Sequence, residues 1–168
     1  MWYAKQSINE ENIIMHSRGR AFDTFAEYDS ALPGDSTQLL EEYNTDEAFY
    51  APSVLYDDMW RMWTTATSSG VNSIKYSSSQ DADNWEVPQS VGGLRAGAYS
   101  PCCIIAEESY FLFYCALDDD FVSKIFGAVS TDGTAFSAAN NGETLFETTE
   151  FINSPCAVRE DDGSYSLY

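Results

Sequence analysis

Short runs in which aromatic residues alternate with other residues recur along the chain, and turn-forming residues bound each run. "WRMWTTA" (60–66) and "YFLFYCA" (110–116) are examples, and both are rich in aromatic side chains. Successive side chains of a β-strand point to opposite faces, and aromatic residues are enriched in strands. The pattern therefore predicts an all-β chain.

These runs belong to a segment that recurs about every 50 residues and is headed by Pro52, Pro101 or Pro155. After Pro52 come a hydrophobic run ("SVLY"), a polar turn ("DDM") and the aromatic run "WRMWTTA". Turn residues between two alternating runs are typical of a β-hairpin. Each proline is thus predicted to head the first strand of a hairpin.

A third alternating run follows two of these hairpins, at residues 72–79 and 123–130, and each run ends in a polar turn closed by an aromatic residue, Trp85 or Phe136. A fourth, weaker strand is expected before the next proline. Units of four strands and about 40–50 residues are typical of β-propeller blades.

The chain is therefore interpreted as one partial β-propeller domain over residues 1–168. Full blades are predicted at 49–98 and 99–152, and partial blades at 1–48 and 153–168. A propeller closes with about four to eight blades. We accordingly expect a piece of a longer protein, or self-association through the open ends.

Four segments carry a resemblance to a known group of proteins: "YAPSVLYDDMWRMW", "YSPCCIIAEESYFLFY", "SIKYSSSQDADNW" and "KIFGAVSTDGTAF". They resemble the repeated motifs of the five-bladed propellers of glycoside hydrolase families 43, 32 and 130 and their relatives. The resemblance covers nearly the whole chain and implies a ring of five blades when complete. It specifies the fold better than the reaction, because function depends on the site.

The resemblance also implies where a site would lie. In such propellers the loops that enter each first strand, and the loops between second and third strands, open on one side, which we call the near face. The turns between first and second strands, and between third and fourth strands, lie on the opposite side, the far face. The active site of the resembled enzymes is on the near face.

Glycoside cleavage normally uses two carboxyl groups, one as acid and one as nucleophile or base. In the resembled families these carboxylates lie near the heading proline, but here Ser53 follows Pro52, where family 43 often has Asp. The candidate catalytic residues are therefore the near-face acids Asp46, Glu47 and Asp119. The alternative is that they are ordinary acids at the rim.

Four further near-face residues are candidates for substrate binding. They are Tyr50, Ser53, Tyr99 and Asn153. Tyr50 and Tyr99 occupy equivalent positions, and their rings would either hold a sugar or pack between blades. The sequence DDD at 118–120 could suggest Ca²⁺, but three successive acids on an extended segment alternate in direction and cannot all bind one ion. No metal and no cofactor are expected.

The predicted function is that of a glycoside hydrolase-like propeller, which acts on or binds a glycan at the mouth of its channel. The alternative is a non-catalytic propeller module that binds glycan or protein, and the missing carboxylates near the prolines favour it. A full-length chain with Asp or Glu at the equivalent positions of further blades would favour the enzyme. The sequence does not specify the sugar.

The chain has 27 acidic and 8 basic residues, for a net charge of −19. This charge argues against binding to nucleic acid and to anionic membrane surfaces, both of which need Lys and Arg. No signal peptide is recognisable at residues 1–17, which leaves the compartment open.

The four cysteines lack metal-type spacing, and we expect them to be buried thiols. Cys102 and Cys156 occupy equivalent positions on adjacent first strands. Because neighbouring blades splay from the axis, we do not expect a disulfide between them.

Overall fold

The computed structural model describes residues 2–6, 12–16, 47–82, 84–146 and 152–168, and for the first two of these ranges the backbone alone. Two four-stranded antiparallel sheets and two hairpins make up the described part of the chain. The only helical element among these residues is a 3₁₀ turn at Asn140–Gly142. The predicted all-β class is therefore confirmed.

The strands follow one another in chain order. The first hairpin consists of β1 (Trp2–Gln6) and β2 (Asn12–His16). Sheet I consists of β3 (Ala48–Tyr56), β4 (Trp60–Ser68), β5 (Val71–Ser79) and β6 (Gln89–Ser90). Sheet II consists of β7 (Tyr99–Ala106), β8 (Ser109–Leu117), β9 (Ser123–Ser130) and β10 (Ser137–Ala138). The terminal hairpin consists of β11 (Ala157–Arg159) and β12 (Tyr165–Leu167).

Sheets I and II have the same order of strands, and in each every strand pairs antiparallel with the next along the chain. The third strands, β5 and β9, cover the predicted ranges 72–79 and 123–130 almost to the residue. The fourth strands have only two residues each, as their weak pattern indicated. Pro52 and Pro101 lie within equivalent edge strands, β3 and β7, and Pro155 lies two residues before β11, so the three prolines have equivalent places although the strands do not begin at them as predicted.

The strands β3 and β7 begin before their prolines, because each continues across a β-bulge. The pairing with the second strand shifts between Tyr50 and Ser53 in sheet I, and between Tyr99 and Cys102 in sheet II. The residue before each proline has a positive φ: 50° at Ala51, 49° at Ser100 and 56° at Ser154. A proline cannot donate to a sheet ladder and is tolerated at a bulge of an edge strand. The bulge thus explains how a proline lies within these strands.

The main core lies between sheets I and II. Aromatic residues of β4, β5 and β8 meet there, with Trp63 stacked at an angle on Tyr76 and Tyr110, at ring-centroid distances of 5.4 and 5.7 Å. The indole Nε1 of Trp63 donates to the carbonyl oxygen of Gly133 at 2.8 Å. This packing holds sheets I and II together.

The polar turns after β5 and β9 are equivalent. Ser79 Oγ donates to Asp81 Oδ1 at 3.1 Å, and Ser130 Oγ donates to Asp132 Oδ1 at 2.9 Å. Backbone N–H groups of Ala135 and Thr134, together with Ser130, hold the pKa of the Asp132 carboxyl well below its usual value. These acids therefore stabilise the turns between the third and fourth strands.

Candidate functional site

The near face is formed by the same ends of the strands in both sheets, which we call the near-face edge. In sheet I, Tyr50 pairs with Thr65, and Thr67 at the end of β4 pairs with Asn72 at the start of β5. In sheet II, Tyr99 pairs with Cys115 in the same way. The beginning of each first strand therefore lies beside the connection between the second and third strands, as the resemblance implied.

Of the predicted acids, Asp46 lies outside the described residues. Glu47 lies directly before β3. Its carboxylate forms an ion pair with Lys75 Nζ at 3.2 Å, and both side chains are largely buried. The negative charge of Glu47 is thus balanced by a cation on β5 of sheet I.

Asp119 lies in the connection between β8 and β9 and forms an ion pair with Arg95. Its side chain is 96 % exposed. Arg95 also donates from Nε to the carbonyl oxygen of Leu117 at 2.9 Å, and its guanidinium lies 5.0 Å from the ring centroid of Phe126. Arg95 therefore secures this connection to sheet II, and Asp119 projects into solvent.

Asp118 shapes the same connection. Its Oδ1 accepts hydrogen bonds from the backbone N–H groups of Asp120 at 3.0 Å and Val122 at 2.9 Å. The structure thus assigns Asp118 to the turn. Among the described residues, no group of three or more His, Cys, Asp or Glu side chains is placed to hold a metal ion.

The two predicted tyrosines have equivalent environments. Tyr50 donates from its hydroxyl to Asn72 Oδ1 at 3.0 Å, and Thr67 Oγ1 donates to the same oxygen at 2.6 Å. The Tyr99 hydroxyl forms a hydrogen bond with Ser123 Oγ. Burial raises the pKa of the Tyr99 phenol, so it stays a neutral hydroxyl. Both rings are half-buried, and both hydroxyls are bonded to the first residues of a third strand.

Ser53 lies between the sheets, since its Oγ accepts a hydrogen bond from the backbone N–H of Cys103 at 2.9 Å. Asn153, by contrast, is exposed, and its Oδ1 accepts from the backbone N–H of Ser154 at 2.8 Å. The structure therefore places Tyr50, Tyr99 and Asn153 at the near-face edge and Ser53 within the contact between the two sheets.

Sequence reasoning missed Phe121. This residue lies at the tip of the connection between β8 and β9, has a φ of 61° and is 83 % exposed. Its N–H donates to the carbonyl oxygen of Asp118 at 3.1 Å, which closes the turn. An aromatic residue directly after three acids, in the loop between the second and third strands, was the available signal.

A second polar cluster lies on the far face, between the sheets. Arg61 Nε donates to Asp57 Oδ1 at 2.8 Å, Arg61 Nη1 donates to the Tyr76 hydroxyl at 2.6 Å, and the Tyr110 hydroxyl donates to Asp57. Burial disfavours the charged form of Asp57, but the hydrogen bonds from Tyr110 and Arg61 outweigh it and lower the pKa of the carboxyl. Burial and the hydrogen bond to Asp57 raise the pKa of Tyr110 to about 12.

Comparisons with known proteins give the fold. No protein-family model and no curated protein matches the chain by sequence. The structure matches a thermostable family-43 glycoside hydrolase with a TM-score of 0.59 and 21 % identity, over 71 % of this chain and 40 % of that one. It also matches a GH43_1 enzyme from Xanthomonas citri complexed with xylose, with a TM-score of 0.59 and 16 % identity, over 79 % of this chain and 44 % of that one.

A third similar structure is an N-acetylgalactosamine deacetylase from F. plautii in complex with blood group B trisaccharide. The TM-score is 0.58 and the identity 15 %, over 67 % of this chain and 36 % of that one. The predicted β-propeller fold of the glycoside hydrolase type is thereby confirmed, while the number of blades stays a prediction. The chain spans about two fifths of the length of the structures it matches.

Among the described residues, no helix has the length and apolar character needed to span a membrane.

Proposed function

We propose that the chain is part of a carbohydrate-binding propeller that holds a glycan at its near face. The observation that carries the proposal is the exposed ring of Phe121 in a connection on that face, which also carries the exposed carboxylate of Asp119. Aromatic side chains with a few polar groups are common in the lining of sites for small ligands. Similar structures in complex with xylose and with a trisaccharide support the glycan as the ligand class.

The polar groups of the near-face edge fit a neutral sugar. The hydroxyl and amide groups of Tyr50, Thr67, Asn72 and Tyr99 are half-buried along the two sheet edges, and they can exchange hydrogen bonds with sugar hydroxyls. The cations of this region are engaged, since Lys75 pairs with Glu47 and Arg95 with Asp119.

Binding is favoured over hydrolysis by the state of the described carboxylates. A general acid at neutral pH needs a raised pKa. The carboxyl groups whose pKa is shifted, Asp57, Asp132 and Asp162, are all shifted downward. Glu47 and Asp119 are held in ion pairs. Among the described residues, the proposed site thus has groups to hold a sugar, and none of the carboxyl groups with a shifted pKa is shifted upward as a general acid requires.

Glycosidic hydrolysis is the second candidate, favoured by the similarity to family-43 hydrolases. The carboxyl pair would come from Asp46 or Glu47 on one side and Asp119 on the other. In this case Asp119→Asn should abolish the hydrolysis of a glycan that the wild-type protein cleaves. An unchanged rate would remove Asp119 from the reaction.

The binding proposal is tested by calorimetric titration with xylotriose and a panel of other neutral oligosaccharides. We expect Phe121→Ala to weaken binding about tenfold or more, because it removes the apolar surface under the sugar. Tyr56→Ala is the matched control, since Tyr56 is 60 % exposed but lies at the far-face end of β3. Equal losses in both variants, or no binding to any sugar of the panel, would overturn the proposal.

A further inference from the structure

The sulfur of Cys102 lies directly against the strand that follows Cys156. Cys102 Sγ accepts a hydrogen bond from the backbone N–H of Ala157 at 3.2 Å. In a trans peptide the N–H lies on the same side as the preceding Cα, so this sulfur is about 4 Å from the Cα of Cys156. The two Cα atoms are then at most about 7 Å apart, which is the upper limit for a disulfide.

This proximity differs from the expectation that blade splay separates the two residues. The splay is small at the innermost strands, where hydrogen bonds join each first strand to the next. Cys103 N–H to Ser53 Oγ and Ala157 N–H to Cys102 Sγ are equivalent links, at 2.9 and 3.2 Å. The first strands therefore approach closely enough for a side chain of one to contact the backbone of the next.

The two thiols are also accessible to different degrees. Cys156 is exposed, contrary to the prediction that the cysteines are buried, and Cys102 is half-buried. Cys103 and Cys115 are buried. Burial raises the pKa of the Cys102 thiol, and the hydrogen bond from Ala157 opposes that rise. A reagent in solution thus meets Cys156 first.

The terminal hairpin is loosely held around this pair. Its backbone closes through Cys156 and Tyr168, which exchange two hydrogen bonds of 2.9 Å. The Tyr165 hydroxyl donates to the carbonyl oxygen of Ile105 at 3.3 Å, and Tyr165 and Val158 are exposed. A hairpin with this little buried surface can move the short distance that closes an S–S bond.

We propose that Cys102 and Cys156 form a reversible disulfide that fastens the terminal hairpin to sheet II. The oxidant is a small-molecule disulfide. The Cys156 thiolate attacks one of its sulfurs, forms a mixed disulfide and releases one small thiol. The Cys102 thiolate then attacks the Cys156 sulfur, forms the protein disulfide and releases the second small thiol. Two electrons pass to the small disulfide, and the two protein thiol protons end on the released thiols.

The test exposes the whole chain to excess oxidised glutathione, blocks the remaining thiols and identifies the digested peptides by mass spectrometry. We expect the loss of two hydrogens and one intramolecular link between the peptides that contain Cys102 and Cys156. Cys156→Ser is expected to prevent the link and, since the side chain is exposed, to leave the far-ultraviolet circular dichroism unchanged. Cys115→Ser is the matched control and should still form the link.

A second measurement reads the consequence of the link. Oxidised wild-type protein should resist thermolysin cleavage in the terminal hairpin and unfold roughly 5–10 °C higher than the reduced protein, because the bond closes a long loop. Cys156→Ser should show neither change under the same oxidant. A glutathione adduct on Cys156 without the link to Cys102, a disulfide between two chains, or no oxidation of either residue would each overturn the proposal.

Discussion

The contact between sheets I and II and the contact between sheet II and the terminal hairpin use equivalent backbone donors but different acceptors. At the first contact the N–H groups of Cys103 and Ser100 donate to oxygens, Ser53 Oγ at 2.9 Å and Thr65 Oγ1 at 2.8 Å. At the second contact the N–H group of Ala157, which is equivalent to that of Cys103, donates to a sulfur, Cys102 Sγ, at 3.2 Å.

The two contacts also differ in burial. Trp63 is fully buried between sheets I and II, with Tyr76 and Tyr110 against it. The terminal hairpin contributes no residue to the described core, and Tyr165 is 39 % exposed. The comparison teaches that the hydrogen bonds set how one first strand meets the next, whereas apolar burial sets how strongly the two units hold together.

Loss of the apolar packing at the contact between sheets I and II should lower the free energy of unfolding the most. Trp63→Ala removes the central ring and its hydrogen bond to Gly133, and it should lower the free energy of unfolding by about 3–5 kcal/mol. Tyr165→Ala, the matched change at the second contact, should cost less than about 1 kcal/mol. Urea unfolding followed by tryptophan fluorescence and circular dichroism measures both. Similar losses would mean that the two contacts do not differ in strength.

The next effect tests the polar cluster of the first contact by pH. The pKa of Asp57 is lowered in the folded chain, so its contribution is fully present above about pH 4 and is lost as the pH falls through the lower folded value. Asp57→Asn should lower the free energy of unfolding at neutral pH by about 1–3 kcal/mol. It should also flatten the acid decline of stability.

The control for this prediction is Asp161→Asn, in the exposed turn of the terminal hairpin, which should keep the acid decline of stability seen in the wild type.

Tyr110 should contribute a dependence of stability on pH of the opposite sign, at high pH. Because its pKa is raised to about 12, its contribution is present below about pH 10 and is lost as the pH rises through 12. An acid decline that is the same with and without Asp57 would contradict the role assigned to the pair.

A smaller effect separates backbone strain from packing. Gly133 has a φ of +79°, and a Cβ added there would lie 3.0 Å from Trp63 Cζ2. Gly163, in the terminal hairpin, has a φ of +85° and open space around it. Gly133→Ala should cost about 2 kcal/mol and Gly163→Ala about 1 kcal/mol, since only the first adds crowding to strain. Thermal unfolding of the two variants measures both losses of stability. Equal losses would mean that the Trp63 ring moves aside for the added Cβ at no cost.

The smallest effect compares the two acceptors. Ser53→Ala leaves the N–H of Cys103 without its oxygen and should cost about 1–2 kcal/mol. Cys102→Ala removes a sulfur, which is a weaker acceptor, and should cost under about 1 kcal/mol in the reduced protein. Measurement by urea unfolding in the presence of a reductant keeps the proposed disulfide out of the comparison. A larger loss at Cys102 would reverse the order of the two links.

Much of the candidate site could not be predicted from the sequence. The positions of Tyr50 and Tyr99 at equivalent edges followed from the spacing of the prolines, and the structure places them so. Their hydrogen bonds to Asn72 and Ser123 did not follow, because those partners lie on strands 22 and 24 residues away. The ion pair of Glu47 with Lys75 and the exposure of Phe121 likewise depend on how loops meet strands.

Local patterns of residues specified the strands, their turns and the equivalence of the segments that contain Pro52 and Pro101. Alternation and turn residues act over a few neighbouring positions, and those positions are adjacent in the chain. The tertiary structure alone decided which acids are neutralised, which aromatic ring is exposed and which cysteine sulfur meets the next strand. These properties depend on atoms from separate sheets, such as Cys102 Sγ and the N–H of Ala157, which come together only when the sheets pack.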